Sequence, residues 1–207
     1  MSELRSVRLF KSDFLEFFSH IHPATILVIW IPVIGFFGFL SFRLAPPEIN
    51  LLLYLPLFLG GLLLWTFMEY ILHRFVFHFH AATERGKRIS FLFHGIHHAE
   101  PMDKTRLVMP PAVSIPLGGF FFAVFYLVFG VIAGRAHLLY PAFTGFALGY
   151  LLYDVTHYSL HHFTIRSGYL QAVRKNHMRH HAAEPDRRFG VTSNLWDYVF
   201  GTMPSVN

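Results

Sequence analysis

The chain has 207 residues, of which 54% are hydrophobic and only 14% charged, and a mean hydropathy of +0.43; it is too apolar for a soluble globule and reads as a multi-pass membrane protein. It has no cysteine, which excludes disulfides, iron–sulfur clusters, zinc thiolates and cysteine nucleophiles, so any metal must be held by nitrogen or oxygen. A net charge of +5 raises the question of nucleic acid, but no basic stripe interleaves with exposed aromatics, and no nucleic-acid partner is expected.

The first 22 residues lack the short apolar core and small-residue cleavage site of a secretory signal. Leu9, Phe10, Phe14, Phe17, Phe18 and Ile21 recur at roughly helical spacing beside Arg5, Arg8 and Lys11, which predicts an interfacial helix over 1–22. Four apolar segments follow, at about 24–42, 49–70, 107–131 and 137–155, each near the roughly 20 residues a membrane helix needs. They form two hairpins with turns at "RLAPPE" and "AGRAH". Of the 17 Lys and Arg residues, 15 fall on one side of these spans, so the N-terminus, the loop 73–106 and the tail from 157 are expected in the cytosol. Gly60/Gly61 and Gly118/Gly119 are expected to allow close helix contact, and Pro110/Pro111 to mark a helix start.

Fifteen histidines stand in this chain, most of them after the apolar runs end. His73 and His157 are 84 residues apart, as are His78 and His162, while the triplets His94/His97/His98 and His177/His180/His181 are 83 apart. The spacing predicts two copies of one unit with the same topology, bringing two histidine sets to one membrane face. Each HxxHH triplet places its members at i, i+3 and i+4, one face of a helix, and His157/His161 form an i, i+4 pair. One face of each helix can therefore grip a metal. His20, His22, His80 and His137 are read as interfacial or hydrogen-bonded residues instead.

Ten imidazoles so close together cannot all be charged, and neutral imidazole is a metal ligand. Zinc would use four ligands or three, whereas about ten histidines give two metals about five each, which suits iron or manganese and points to a two-iron centre open to dioxygen. Zinc, which nitrogen sites bind more tightly than ferrous iron, is the expected substitute after purification. The protease signature HExxH is absent. Metal-dependent oxygen chemistry at the ends of membrane helices remains, where a lipid acyl chain can enter from the bilayer while its head group stays in the interface. Glu69, four residues before His73, and Asp154, three before His157, are placed to orient those ligands. His73 and His78 lie five apart, about 140° around an ideal helix, so either the helix ends between them or they serve different metals.

From Trp65 to Thr202, through "MEYILHRFVFH", "FHGIHHAEPMDKTRLVMPP", "YDVTHYSLHH", "KNHMRHH" and "FGVTSNLWDYVFGT", the chain resembles the fatty acid 2-hydroxylases of the sterol desaturase and fatty acid hydroxylase superfamily. The resemblance implies a single all-α membrane domain over 1–207, four transmembrane helices capped by a cytosolic helical region, 73–106 and 157–207. It implies a monooxygenase that hydroxylates carbon 2 of a long acyl chain with two iron ions and dioxygen. It also implies the ligands: His73, His78, His94, His97, His98, His157, His161, His177, His180 and His181. The internal repeat pairs His78 with His162, whereas the family pattern favours His161; His162 is then expected beside the ligands, assisting catalysis with Asp154. Trp196, Asp197 and Tyr198 resemble a docking segment without chemistry of their own. Eukaryotic relatives commonly carry an N-terminal cytochrome b5 domain, for which 22 residues leave no room. A separate donor of cytochrome b5 or ferredoxin type with its reductase is therefore expected, in a bacterial inner membrane, or in the endoplasmic reticulum if the source is eukaryotic.

Overall fold

Long runs of Leu, Ile, Phe and Val without interior charge leave the backbone no partner but itself once surrounded by lipid, and the helix is the solution that satisfies every peptide group locally. In the computed structural model, which describes residues 7–204, the elements are helical and no strand occurs among the described residues. The principal helices are α1 (Asp13–Phe17), α2 (Ala24–Arg43), α3 (Tyr54–Ile71), α4 (Glu84–Ser90), α5 (Ile96–Ala99), α6 (Pro111–Phe125), α7 (Leu139–His162), α8 (Gly168–Ala182) and α9 (Leu195–Val199). Four helical stretches are long and apolar enough to cross a membrane: Ala24–Arg43, Leu51–Phe77, Pro111–Ile132 and Ala136–His162. The third starts at Pro111 rather than 107, because proline suits the first helical position and Leu107 and Val108 are buried in the preceding loop. The fourth runs on to His162, seven residues past the expected end, since no glycine or proline interrupts the chain before Gly168.

The chain divides into two compact units. The first comprises Ala24–Met68 and Pro111–Asp154. Its centre is α7, 72% buried over its most apolar window against 11–17% for the other three spans, whose outward faces are rows of exposed Leu, Ile, Val and Phe. Phe143 meets Phe37 of α2 at 4.8 Å between ring centroids, Phe146 meets Phe121 of α6 at 4.8 Å, and Tyr150 sits between Trp30 at 4.8 Å and Trp65 of α3 at 5.2 Å. Close approach of α3 to α7 depends on two glycines facing the opposite backbone. A Cβ on Gly61 would fall on the carbonyl oxygen of Ala142, and one on Gly145 on that of Phe58. Gly118 packs against the Trp30 ring, whereas Gly60 and Gly119 face open space, so only one glycine of each expected pair does the expected work. Gly145→Ala should therefore destabilise the protein by roughly 3 kcal/mol, the upper end of overpacking, while Gly60→Ala is neutral or mildly stabilising. Thermal unfolding of both variants in detergent tests this, and equal melting temperatures would contradict it.

The second unit comprises the chain up to Pro23, Glu69–Pro110, and the chain from Val155. The helix expected over 1–22 forms only at Asp13–Phe17; residues 1–6 lie outside the described residues. Side-chain competition explains the shortfall. Glu16 accepts the backbone N–H groups of Leu9 and Phe10 at 2.9 and 2.8 Å, holding that stretch away from helical bonding. Buried Arg106 then fastens the whole strap, donating to Glu16 at 2.6 Å and to the carbonyl of Val7 at 2.5 Å. Phe14, Leu15, Phe17 and Phe18 remain exposed on it.

Candidate metal centre

Two departures from the regular α-helix place the first candidate ligands. At the end of α3 the chain widens into a π turn, Leu72–Phe77, in which His78 N–H bonds the carbonyl of His73, five residues back, at 3.1 Å. An i→i+5 bond stacks residues five apart over one another, and the two rings lie 5.1 Å apart between centroids. The α-helical separation of about 140° therefore does not arise, and the helix need not end between the two histidines. A second π turn, Phe91–Gly95, carries His94 into α5, which holds His97 and His98. On α7 the equivalent pair is His157 and His161, four apart on an ordinary helix.

That one residue resolves the repeat. The first copy needs five positions between its helix-borne histidines and the second four, so a spacing of 84 at His73/His157 becomes 83 at His78/His161 and stays 83 through both triplets. Counted this way, His78 aligns with His161, which lies in one of the histidine groups, and not with His162, which lies in neither.

Ten histidines fall into two groups of five: His73, His78, His94, His98 and His180; and His97, His157, His161, His177 and His181. In each group one ring nitrogen per residue lies within 4.8 Å of the others. Each triplet is split. Its i, i+4 pair joins the group of its own copy, while the i+3 member, His97 or His180, crosses to the other, so neither triplet grips one metal alone. The Nε2 atoms face inward: His94 lies 3.0 Å from His73 and 3.1 Å from His98, and His180 lies 3.0 Å from His78. In the second group His177 lies 2.9 Å from His161 and 3.1 Å from His181. With metal–nitrogen bonds of about 2.1 Å, ligands at right angles stand about 3.0 Å apart and tetrahedral ones about 3.4 Å. The spacing fits a centre of more than four ligands, and Nε2 of His97, buried without a hydrogen-bond partner, adds a donor with no other employment.

Burial and mutual repulsion favour the neutral form of the imidazoles outside the spans. Burial, then the neighbouring His180, pushes His78 down to about 3; the same two causes, joined by His78, take His98 to about 3. His181 is brought to about 2 by burial and His98, and burial sets His94, His97 and His177 well below the usual histidine range. A neutral ring presents the lone pair that a metal requires.

Around the ligands the arrangement departs from the sequence reading. Glu69 does not orient His73. Its carboxylate accepts N–H of Val191 and Thr192 at 2.6 and 2.8 Å and the Thr192 hydroxyl at 2.6 Å, and Arg74 bonds the Tyr70 hydroxyl instead. His73 Nδ1 donates to the carbonyl of Phe189 at 2.5 Å, and His180 Nδ1 to that of Arg187 at 2.7 Å. A carbonyl can only accept, so each Nδ1 carries the proton and each Nε2 is left to the centre. Asp154 is fully buried on α7 three residues before His157. His162 belongs to neither group; it is half-buried, with its ring 4.6 Å from that of Tyr158. His20 pairs with Thr105 and Arg106, and His80 lies 3.6 Å from Asp186, both away from the groups. Sequence reasoning gave Asp197 only a place in a docking segment and not its bonding role: it is fully buried and binds the chain near Phe189, and an aspartate inside the apolar run "NLWDYVF" was the available signal.

The profile of the fatty acid hydroxylase family matches residues 58–202. A dihydroceramide fatty acyl 2-hydroxylase of Arabidopsis thaliana is 39% identical over 203 residues, spanning 96% of this chain and 80% of its own. The fatty acid 2-hydroxylase of Mus musculus is 34% identical, over 96% of this chain and 57% of its own. The solved structure of full-length Scs7p, in which only the hydroxylase domain is visible, superposes with a TM-score of 0.84 at 34% identity, covering 93% of this chain and 70% of that one. With a helical fold, four candidate spans and two histidine groups already in place, the chain belongs to the fatty acid hydroxylase family and is an oxidoreductase.

Proposed function

We propose that the protein hydroxylates carbon 2 of a long-chain fatty acyl group within a membrane lipid, using two iron ions and dioxygen. The observation that carries this reading is the pair of five-histidine groups with inward Nε2 atoms. Similarity to enzymes named for acyl 2-hydroxylation supplies the position of attack. One methylene C–H bond, dioxygen, two electrons and two protons give one C–OH and one water. The irons, when bound, supply the activation of dioxygen. His73, His78, His94, His98 and His180 would hold one, and His97, His157, His161, His177 and His181 the other. The carbonyls of Phe189 and Arg187 orient His73 and His180, and burial of the rings keeps bulk water from the centre. Asp154, buried three residues before His157 on α7, and His162 assist the reaction without ligating. A cytochrome b5- or ferredoxin-type protein delivers the electrons at the cytosolic face, where the Lys and Arg bias places both termini.

The test compares hydrolysed lipids from aerobic cells expressing wild type or His181→Ala at matched protein levels, with ¹⁸O₂ supplied. Labelled 2-hydroxy fatty acids from the wild type alone are expected. Oxygen at another carbon would make this a sister oxygenase, and unlabelled product would remove dioxygen as the source.

A further inference from the structure

We propose that the N-terminal strap is a lipid-docking surface, which seats Phe14, Leu15, Phe17 and Phe18 at the boundary between head groups and acyl chains of the membrane that the spans cross, and that Arg106 is the residue that aims it. Phe14 and Phe17 are 70% and 73% exposed, and Leu15 and Phe18 about half. Three of these side chains form one cluster, with the Phe18 ring 5.0 Å from that of Phe14 and 5.4 Å from that of Phe17. Clustered apolar side chains facing outward mark an interaction site, and aromatic rings on a short amphipathic segment suit the interface of a bilayer.

The other side of the strap is polar and engaged. Arg106, whose side chain is 2% exposed, donates to Glu16, to the carbonyl of Val7 and to Nε2 of His20, the last at 2.8 Å. Nδ1 of His20 then carries the proton and donates to the Thr105 hydroxyl at 2.6 Å, which donates onward to Asp103 at 2.7 Å. Ile21 N–H donates to the Thr105 carbonyl at 2.7 Å, and Val7 N–H to Glu100 at 3.0 Å. Residues 7–21 are thus pinned at both ends to 100–106, which leaves the rings on the unpinned side.

Place along the chain selects lipid as the occupant. Phe18 stands six residues before Ala24, where the first candidate span starts, and Arg106 five before Pro111, where the third starts. Six residues reach at most about 20 Å, and two hairpins put both starts on one membrane face. The strap and the segment it is pinned to are each tethered to the bilayer boundary, so the surface is continuous with the lipid-facing spans and needs no second molecule to be recruited.

The chain has no cysteine, so Phe17→Cys and Lys11→Cys each create one attachment site for a nitroxide. The labelled full chain is placed in phosphatidylcholine and phosphatidylglycerol vesicles. Electron paramagnetic resonance then reads collisions with oxygen, which concentrates in lipid, and with a water-soluble nickel chelate. The ratio of oxygen to nickel collisions should be about tenfold higher at position 17 than at position 11. Adding Arg106→Gln should cut that contrast about threefold, because the strap loses its charge-assisted anchor. Glu16→Gln breaks the same pair from the strap side and gives the same readout where Arg106→Gln does not fold. Equal ratios at 17 and 11 would overturn the lipid seat, and protection at 17 that fades as the protein is diluted into more lipid would assign the surface to a second copy of the chain instead. An unchanged contrast in the anchor variants would overturn the role of Arg106.

Discussion

His97→Ala combined with His94→Ala should leave no firmly bound metal, whereas His97→Ala combined with His161→Ala should leave one ion per chain. The two histidines of the first pair are neighbours in sequence but belong to different groups, while those of the second pair are 64 residues apart and share a group. If each triplet served its own metal, the two outcomes would be reversed. Elemental analysis of the purified double variants decides between them. Each single variant should also lower 2-hydroxylation by about 100-fold or more, because a group missing one ligand binds and orients its ion poorly. His162→Ala is the internal comparison. Its ring is outside both groups, so metal content should stay at two.

Acid should destabilise the metal-free protein as the pH falls below about 6.5. His78, His98 and His181 sit near 3, 3 and 2 in the folded chain, against about 6.5 for a free histidine. Above pH 6.5 these rings are neutral in both states and pH has no leverage. Below it, the unfolded chain binds protons that the folded chain refuses, so stability falls as pH falls. The limiting slope is about 1.4 kcal/mol per pH unit for each group. Halved for partial exposure, the three together remove roughly 3 kcal/mol between pH 6.5 and 5. Thermal unfolding in detergent should show a clearly lower midpoint at pH 5 than at pH 7.5, and an unchanged midpoint would mean the rings are already charged or solvated. Bound metal shifts the window downward, since protons must displace it first.

Much of this was readable in the sequence because histidine spacing reports helical geometry. HxxHH and the four-residue step at His157 fix a helix face, and length and apolarity fix the spans. What spacing could not carry was backbone departing from the α-helix. The π turn at Leu72–Phe77 changes a five-residue step from opposed to stacked, and only that change reconciles 84 with 83. Nor could it show the crossing of His97 and His180, which depends on how α5 and α8 approach each other's rings. Glu69 was expected to act on the ligand one turn away, yet its oxygens reach Val191 and Thr192, more than 120 residues on. A carboxylate bonded to backbone N–H leaves no signature in the residues it binds. Gly145 escaped notice for a similar reason: a lone glycine in an apolar helix reveals its role only when the facing backbone is known.

The crossed ligands also constrain the order of events during synthesis. The first group waits for His180 and the second for His181, so neither can be completed while only the N-terminal copy has left the ribosome. Segment 187–192, which braces His73 and His180, emerges later still. Any metal would therefore be acquired after nearly the whole chain has been made and its helices inserted, and a truncated translation product, however well embedded in the bilayer, has no complete set of five with which to hold an ion.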